Sequence, residues 1–133
     1  FKQRIRELTR RTRGVSMQRR FRDLGRFVRG WVNHFRIVPI VTPFRDYDKW
    51  IRRRIRACYW KQWWGKRTLI AKLRQLGIRE HEAVTHGCTS KGPWVMSSSQ
   101  AVHEALSVEY LAGQGLVSLA EYWQKLTAKI RTA

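Results

Sequence analysis

Acidic side chains are scarce in this chain. Nine Asp and Glu stand against 28 Lys and Arg in 133 residues, a formal net charge of +19. Solubility alone does not require such an excess, so the charge points to a polyanionic partner. Cysteine is scarcer still. Cys58 and Cys88 show no paired C-x-x-C spacing, which excludes a disulfide framework and a zinc ribbon and fits a reducing, intracellular setting. Long apolar runs are missing too, as are the n-region and h-region of a signal peptide, and there is no internal repeat or low-complexity tract.

The residues needed for catalysis are equally thin. His86 follows His81-Glu82 five positions after the first imidazole, so the pair does not make the H-E-x-x-H arrangement of a helical zinc site. No glycine-rich loop ends in Gly-Lys-Ser/Thr. No close set of aspartates stands ready for two-metal nucleotidyl transfer. Asp46 and Asp48 flank Tyr47, point to different helical faces, and are expected to temper the N-terminus of a basic helix. We therefore expect no catalytic residue, metal or cofactor in this stretch. Beginning at Phe1 inside a charged segment, it is expected to be a fragment of a longer protein.

The abundant feature is arginine, unevenly placed. Phe1 to Arg67 carries 21 basic and 4 acidic residues; Thr68 to Ala133 carries 7 and 5. Twenty of the 28 cations are Arg, whose planar fork suits phosphate and base stacking, whereas lipid headgroups are more often met by Lys clusters. Nucleic acid is the expected partner, and a membrane is not.

The segment RDYDKWIRRRIRACYWKQWW, Arg45 to Trp64, interleaves cations with large aromatics. A buried helix could not hold so many charges, and a solvated one would not normally carry so many Trp. On a helix, Arg45, Lys49, Arg52 and Arg56 form one stripe, and Tyr47, Ile51, Ile55 and Cys58 form another that suits a core. The preceding helix is expected from Ser16, its N-cap, to about Arg36, with Met17, Phe21, Leu24, Val28, Trp31 and Phe35 inward. Arg19, Arg22, Arg26 and Arg29 line its other side. Gly25 and Gly30 within it imply close approach of another backbone, protein packing being favoured over RNA.

A first helix is expected over Phe1 to about Thr12. Pro39 and Pro43 bracket a connection, and Thr42-Pro43 opens the basic-aromatic helix, which Gly65 ends. Composition shifts after Arg67, so the expected domains are 1–67 and 68–133. In the second, short helices are expected over Thr68–Leu76, closed by Gly77 with Ile78 as its hydrophobic contact, and over Glu80–His86. A turn at Thr89–Trp94 precedes a helix from Ser97–Ser99 to about Leu111, stopped by Gly113 and Gly115. Ser118 and Glu121 form a capping box for a last helix with Leu119, Tyr122, Trp123, Leu126 and Ile130 inward. The fold class is all-α: a bundle of two to three long helices, then a smaller domain of short ones.

Candidate RNA contacts are Arg19, Arg22, Arg26, Arg29, Arg45, Lys49, Arg52, Arg53, Arg56 and Lys61 for phosphate, with Trp60, Trp63 and Trp64 for base stacking. Packing of those three Trp against the second half is the competing reading. Trp31 and Trp50 are assigned to the core. If six to ten cations each met a phosphate, affinity would fall about 10³- to 10⁵-fold between roughly 50 and 200 mM salt on the duplex-DNA scale.

Three strings, RGWVNHFR (Arg29 to Arg36), WIRRRIRACYWKQW (Trp50 to Trp63) and SKGPW (Ser90 to Trp94), resemble the C-terminal part of bacterial group II intron-encoded reverse transcriptases, or maturases. FKQRIRELTRRTRGVS at the start and QGLVSL (Gln114 to Leu119) extend the likeness over nearly the whole chain. The resemblance implies that the first half is the thumb, or maturase-specific domain X, which binds intron RNA and closes on the template-primer duplex. It implies that the second half is a DNA-binding region that engages the insertion target, with Lys66, Arg67, Lys91 and Trp94 as contacts. It further implies an upstream RNA-directed DNA polymerase domain using Mg2+, and a cytoplasmic or nucleoid-associated bacterial location, with an organelle as the alternative. No Tyr-Ala-Asp-Asp motif and no His-Asn-His endonuclease occur in this sequence. Pro93 departs from the pattern, since an aromatic is common between the glycine and tryptophan of the third string. The alternatives are a stand-alone basic module binding nucleic acid nonspecifically and a Trp-rich module docking an acidic protein.

Overall fold

The computed structural model describes residues 1–35 and 42–132, and every regular element among them is a helix. Arg36 and Pro39, which figured in the expected helix end and connection, lie outside the described residues. Among the described residues no helix is long and apolar enough to cross a membrane.

The chain divides into two compact units. The first comprises Phe1–Ile51 with Leu111–Ala133, and the second Arg52–Tyr110. Charge density changes near Arg67, but a compact unit is set by which apolar faces cover each other, and the last helix covers part of the first half.

In the first unit, α1 (Lys2–Leu8) stops earlier than expected, where the Thr9 hydroxyl donates to the Ile5 carbonyl at 2.6 Å. Ser16 caps α2 (Met17–His34) as expected, its Oγ accepting from the Arg19 amide at 3.2 Å. Met17, Phe21, Leu24 and Val28 are buried, but further along Val32 takes the core position. Trp31 is half-buried and Phe35 is exposed. Trp31 packs instead against aromatics, with ring centroids 4.4 Å from Phe1, 5.9 Å from Phe44 and 6.1 Å from Tyr47.

The close partner of α2 is α9 (Leu119–Thr132), joined to it by a hydrogen bond from Asn33 Nδ2 to Tyr122 Oη at 3.0 Å. A Cβ on Gly25 would lie 3.3 Å from Val117 Cγ2, so this glycine admits a protein neighbour, whereas a Cβ on Gly30 meets nothing within 4 Å. Gly25 thus has the close protein neighbour expected of it, though a side chain and not a backbone, and Gly30 has none. Ile130, expected inward, is exposed.

What fixes the start of α9 is Asp48, on α3 (Thr42–Gln62). Its buried carboxylate accepts from the Leu119 amide at 2.8 Å, the Ala120 amide at 3.1 Å and the Ser118 hydroxyl at 2.7 Å. Ser118 Oγ in turn accepts from the Glu121 amide at 3.3 Å. The expected role of Asp48 at its own helix's N-terminus is thus corrected. The charge does serve a helix N-terminus, where the free amides and the dipole favour it, but the helix is α9.

The second unit holds the remainder of α3, then α4 (Lys66–Gln75), α5 (Glu80–Gly87), α6 (Pro93–Met96) and α7 (Gln100–Ala105). The end of α4 matches expectation in detail. Gly77 has φ +94, its amide donates to the Arg74 carbonyl at 3.1 Å, and the Ile78 amide donates to the Leu73 carbonyl at 3.0 Å. Buried Ile78 and Leu73 supply the apolar contact of this Schellman motif. At α5, Gly87 lies so close to Ile70 of α4 that a Cβ would come within 2.5 Å of Ile70 Cγ1.

The helix expected from Ser97–Ser99 to Leu111 is broken into α7 and α8 (Val108–Gly113), the latter crossing the unit boundary. Ser99 caps the first piece and the Ser107 hydroxyl accepts from the Tyr110 amide at 3.1 Å to cap the second. The break frees the Leu106 carbonyl, which accepts from Arg56 Nε at 2.9 Å. A serine able to cap and a guanidinium able to take the freed acceptor together stabilise a break that propensity alone does not reveal.

Asp48→Ala should lower the free energy of unfolding by roughly 2 to 3 kcal/mol, since a buried charged acceptor serving three donors is lost. Asp46→Ala, at an exposed position, should stay within about 0.5 kcal/mol. Urea denaturation of the two variants measures the difference, and equal effects would show that the cap on α9 is not what Asp48 contributes.

Candidate nucleic-acid interface

Helical spacing sets Arg19, Arg22, Arg26 and Arg29 on one face of α2, and all four are exposed. Their electrostatic surroundings differ. Asp23 lies 3.9 Å from Arg19 Nε and forms a shorter ion pair with Arg13 Nη2. The hydrogen bond from Arg13, then the charges of Arg13, Arg19 and Arg26, hold the Asp23 carboxyl below its usual range, against the opposing effect of burial. Among the described residues no carboxylate forms an ion pair with Arg22, Arg26 or Arg29. Arg22, Arg26 and Arg29 thus stand on one helical face without an ion-paired carboxylate, and of the three only the charge of Arg26 acts on Asp23.

The α3 stripe is not uniform. Arg45 and Lys49, in the first unit, are exposed, Arg52 is half-buried, and Arg56 is only 3% exposed. A row that looks like one continuous surface in sequence therefore sinks into the protein as the helix proceeds. Burial, with the charge of Arg52 nearby, pulls the Arg56 pKa down to about 10, so the guanidinium remains charged at neutral pH.

The structure brings together two candidates that the sequence placed in different halves. The Arg53 guanidinium lies 3.8 Å from the Trp94 ring centroid, and donates from Nη2 to the Trp94 carbonyl and from Nε to Ser97 Oγ, each at 3.1 Å. Trp94 remains 37% exposed. Lys91 is exposed on the preceding turn, where its amide donates to Thr89 Oγ1 at 3.2 Å.

The three clustered tryptophans divide. Trp60 is 1% exposed and Trp63 is buried, packed 5.4 Å from the Tyr59 ring. Both are core residues, and Arg56 is buried too, so none of the three belongs to the exposed surface. Trp64 is 64% exposed, with Lys61 Nζ 5.2 Å from its ring centroid. Lys66 and Arg67 follow in the first turn of α4, both exposed. Positive charge at a helix N-terminus opposes the dipole, so these two cations do not serve the helix itself. Trp31 and Trp50 are half-buried, and the Arg6 guanidinium lies 5.6 Å from the Trp50 ring centroid.

Sequence reasoning missed His103. It sits on α7, where burial and the charges of Arg56, Arg52 and Arg53 hold its pKa below the ordinary histidine value. Nothing in its local sequence marks it, because the arginines belong to a helix some fifty positions away in the chain.

Residues 1–77 match the family described as "Group II intron, maturase-specific domain". No curated protein matches the chain.

Trp60→Ala should cost about 3 to 5 kcal/mol of stability, as expected for emptying a fully buried aromatic site. Trp64→Ala should cost less than about 0.5 kcal/mol. Chemical denaturation followed by far-ultraviolet circular dichroism reads both, and a large loss at Trp64 would remove it from the surface candidates.

Proposed function

Because the chain belongs to the group II intron maturase-specific domain family, we propose that it binds group II intron RNA through its exposed arginine rows and so promotes folding of the intron into its splicing-active form. The observation that carries this reading is the face of α2. Arg22, Arg26 and Arg29 are exposed, fall inside the matched residues, and have no carboxylate ion-paired to them among the described residues. An apolar stripe anchors the opposite side of the helix, so the charges are held in place by the fold. Arg19, Arg45, Lys49 and Lys61 extend the contact set, and Trp64 offers a ring for an unpaired base.

Lys66, Arg67, Lys91 and Trp94 are the proposed contacts to target DNA. The positive start of α4 and the partly open Trp94 ring support that assignment. The parent protein is proposed to be a reverse transcriptase with a Mg2+-dependent polymerase domain upstream. In it, this stretch would serve as the thumb on the template-primer duplex and contribute to intron mobility in the bacterial cytoplasm or nucleoid.

Replacing Arg22, Arg26 and Arg29 together by Gln tests the reading. If each meets a phosphate, the slope of log affinity for intron RNA against log salt should fall by roughly 2 to 3 on the duplex-DNA scale. Protein-dependent splicing at limiting protein should fall with it. Unrelated duplex should compete poorly with the intron. An unchanged slope and unchanged splicing would overturn the role of the α2 face.

A further inference from the structure

Within the second unit, one turn of α3 is pinned along α7 from both ends. Arg53 is tied to Trp94 and Ser97, which precede α7, and Arg56 is tied to the carbonyl of Leu106, which follows it. His103, in the last turn of α7, is thereby carried to Arg52, Arg53 and Arg56. Arg52 stands one helical turn before Arg56, on the same stripe.

This grouping is electrostatically unfavourable as it stands. Arg56 is more than nine-tenths buried, and its hydrogen bond to Leu106 uses Nε. Neither terminal amine donates to a protein acceptor among the described residues. No carboxylate pairs with Arg52 or Arg56 there either. A buried cation is normally paired, and like charges held together repel. The charges acting on His103 are those of the three arginines of α3. Glu104, its neighbour on α7, accepts from Gln100 Nε2 at 3.4 Å, and no charge from α4 or α5, which also pack on α7, acts on it among the described residues.

We propose that Arg52, Arg56 and His103 form a built subsite for a single phosphate group, filled by a backbone phosphate of the bound nucleic acid, with Arg53 held beside it by Trp94. The proposal rests on the reading of the chain as a nucleic-acid binder, and deepens it. The arginines of α2 stand on an exposed face, whereas Arg53 and Arg56 are held by protein acceptors before the ligand arrives, which spares part of the ordering entropy on binding. A bidentate guanidinium is the natural partner of a phosphate dianion or diester, and an imidazole beside it adds a donor when protonated.

The test uses the full chain, with inorganic phosphate and then intron RNA as probes, followed by side-chain nitrogen resonances of His103 and Arg56. At matched ionic strength, millimolar inorganic phosphate should raise the His103 pKa by about one unit, equivalent to tenfold tighter phosphate binding by the imidazolium form. Arg52→Gln and His103→Gln, both outside the buried core, should each weaken phosphate binding by about tenfold, so the test does not depend on a variant of buried Arg56. Bound RNA should shift the same resonances and abolish the response to added phosphate. Resonances indifferent to phosphate overturn the subsite, even if RNA still binds through α2. RNA that binds without moving them overturns the backbone assignment, leaving a site for a free phosphate. If phosphate acts but RNA does not bind at all, both the backbone assignment and the wider reading fall.

Discussion

A single buried carboxylate organises the first unit. Asp48, 5% exposed, gathers the first amides of α9 and the hydroxyl before them. Those amides have no partner within their own helix, and leaving them buried and unpaired would be costly. With α9 anchored, α2 gains the neighbour that covers its apolar side, and the arginines on the other side are left facing solvent. The availability of the α2 cations thus depends on a residue of opposite charge far from them in sequence.

Charge is handled in two ways in this protein. On α2 it is displayed: guanidiniums stand on a surface, screened by water and salt, and can act on a polyanion at a distance. Along the second half of α3 it is enclosed. Arg53 is stacked on an indole and tied to two oxygens, while Arg56 is sunk against a backbone carbonyl at a helix break. The first arrangement leaves the charge open to solvent, and the second holds it against protein acceptors.

Much of this architecture was legible in the sequence because its signals are local. Helical periodicity placed Met17, Phe21, Leu24 and Val28 inward, Ser16 announced the start of α2, and Gly77 with Ile78 announced the end of α4. What escaped were features made by distant segments meeting. The capping-box residues Ser118 and Glu121 gave no hint that Asp48 would supply the carboxylate. The break at Leu106 needs Arg56, and the composition change near Arg67 could not reveal that α9 returns to the first unit. The same limit applies to the candidate interface. Periodicity correctly grouped Arg45, Lys49, Arg52 and Arg56 on one helical face, but it cannot say where along its length that face becomes covered. Trp60 and Trp64 differ by one helical turn in sequence and by almost the whole range of solvent exposure in the fold.

The return of the last helix has a practical consequence for dissecting the protein. Residues 1–77 carry the whole stretch matched to the family, yet Leu119, Ala120 and the rest of α9 lie beyond it. A polypeptide cut at that point would keep every arginine of α2 while stripping the hydrophobic cover from its back and orphaning the anion at position 48. Such a piece is poorly suited to autonomous folding, and sequence-defined homology limits are here the wrong place to truncate.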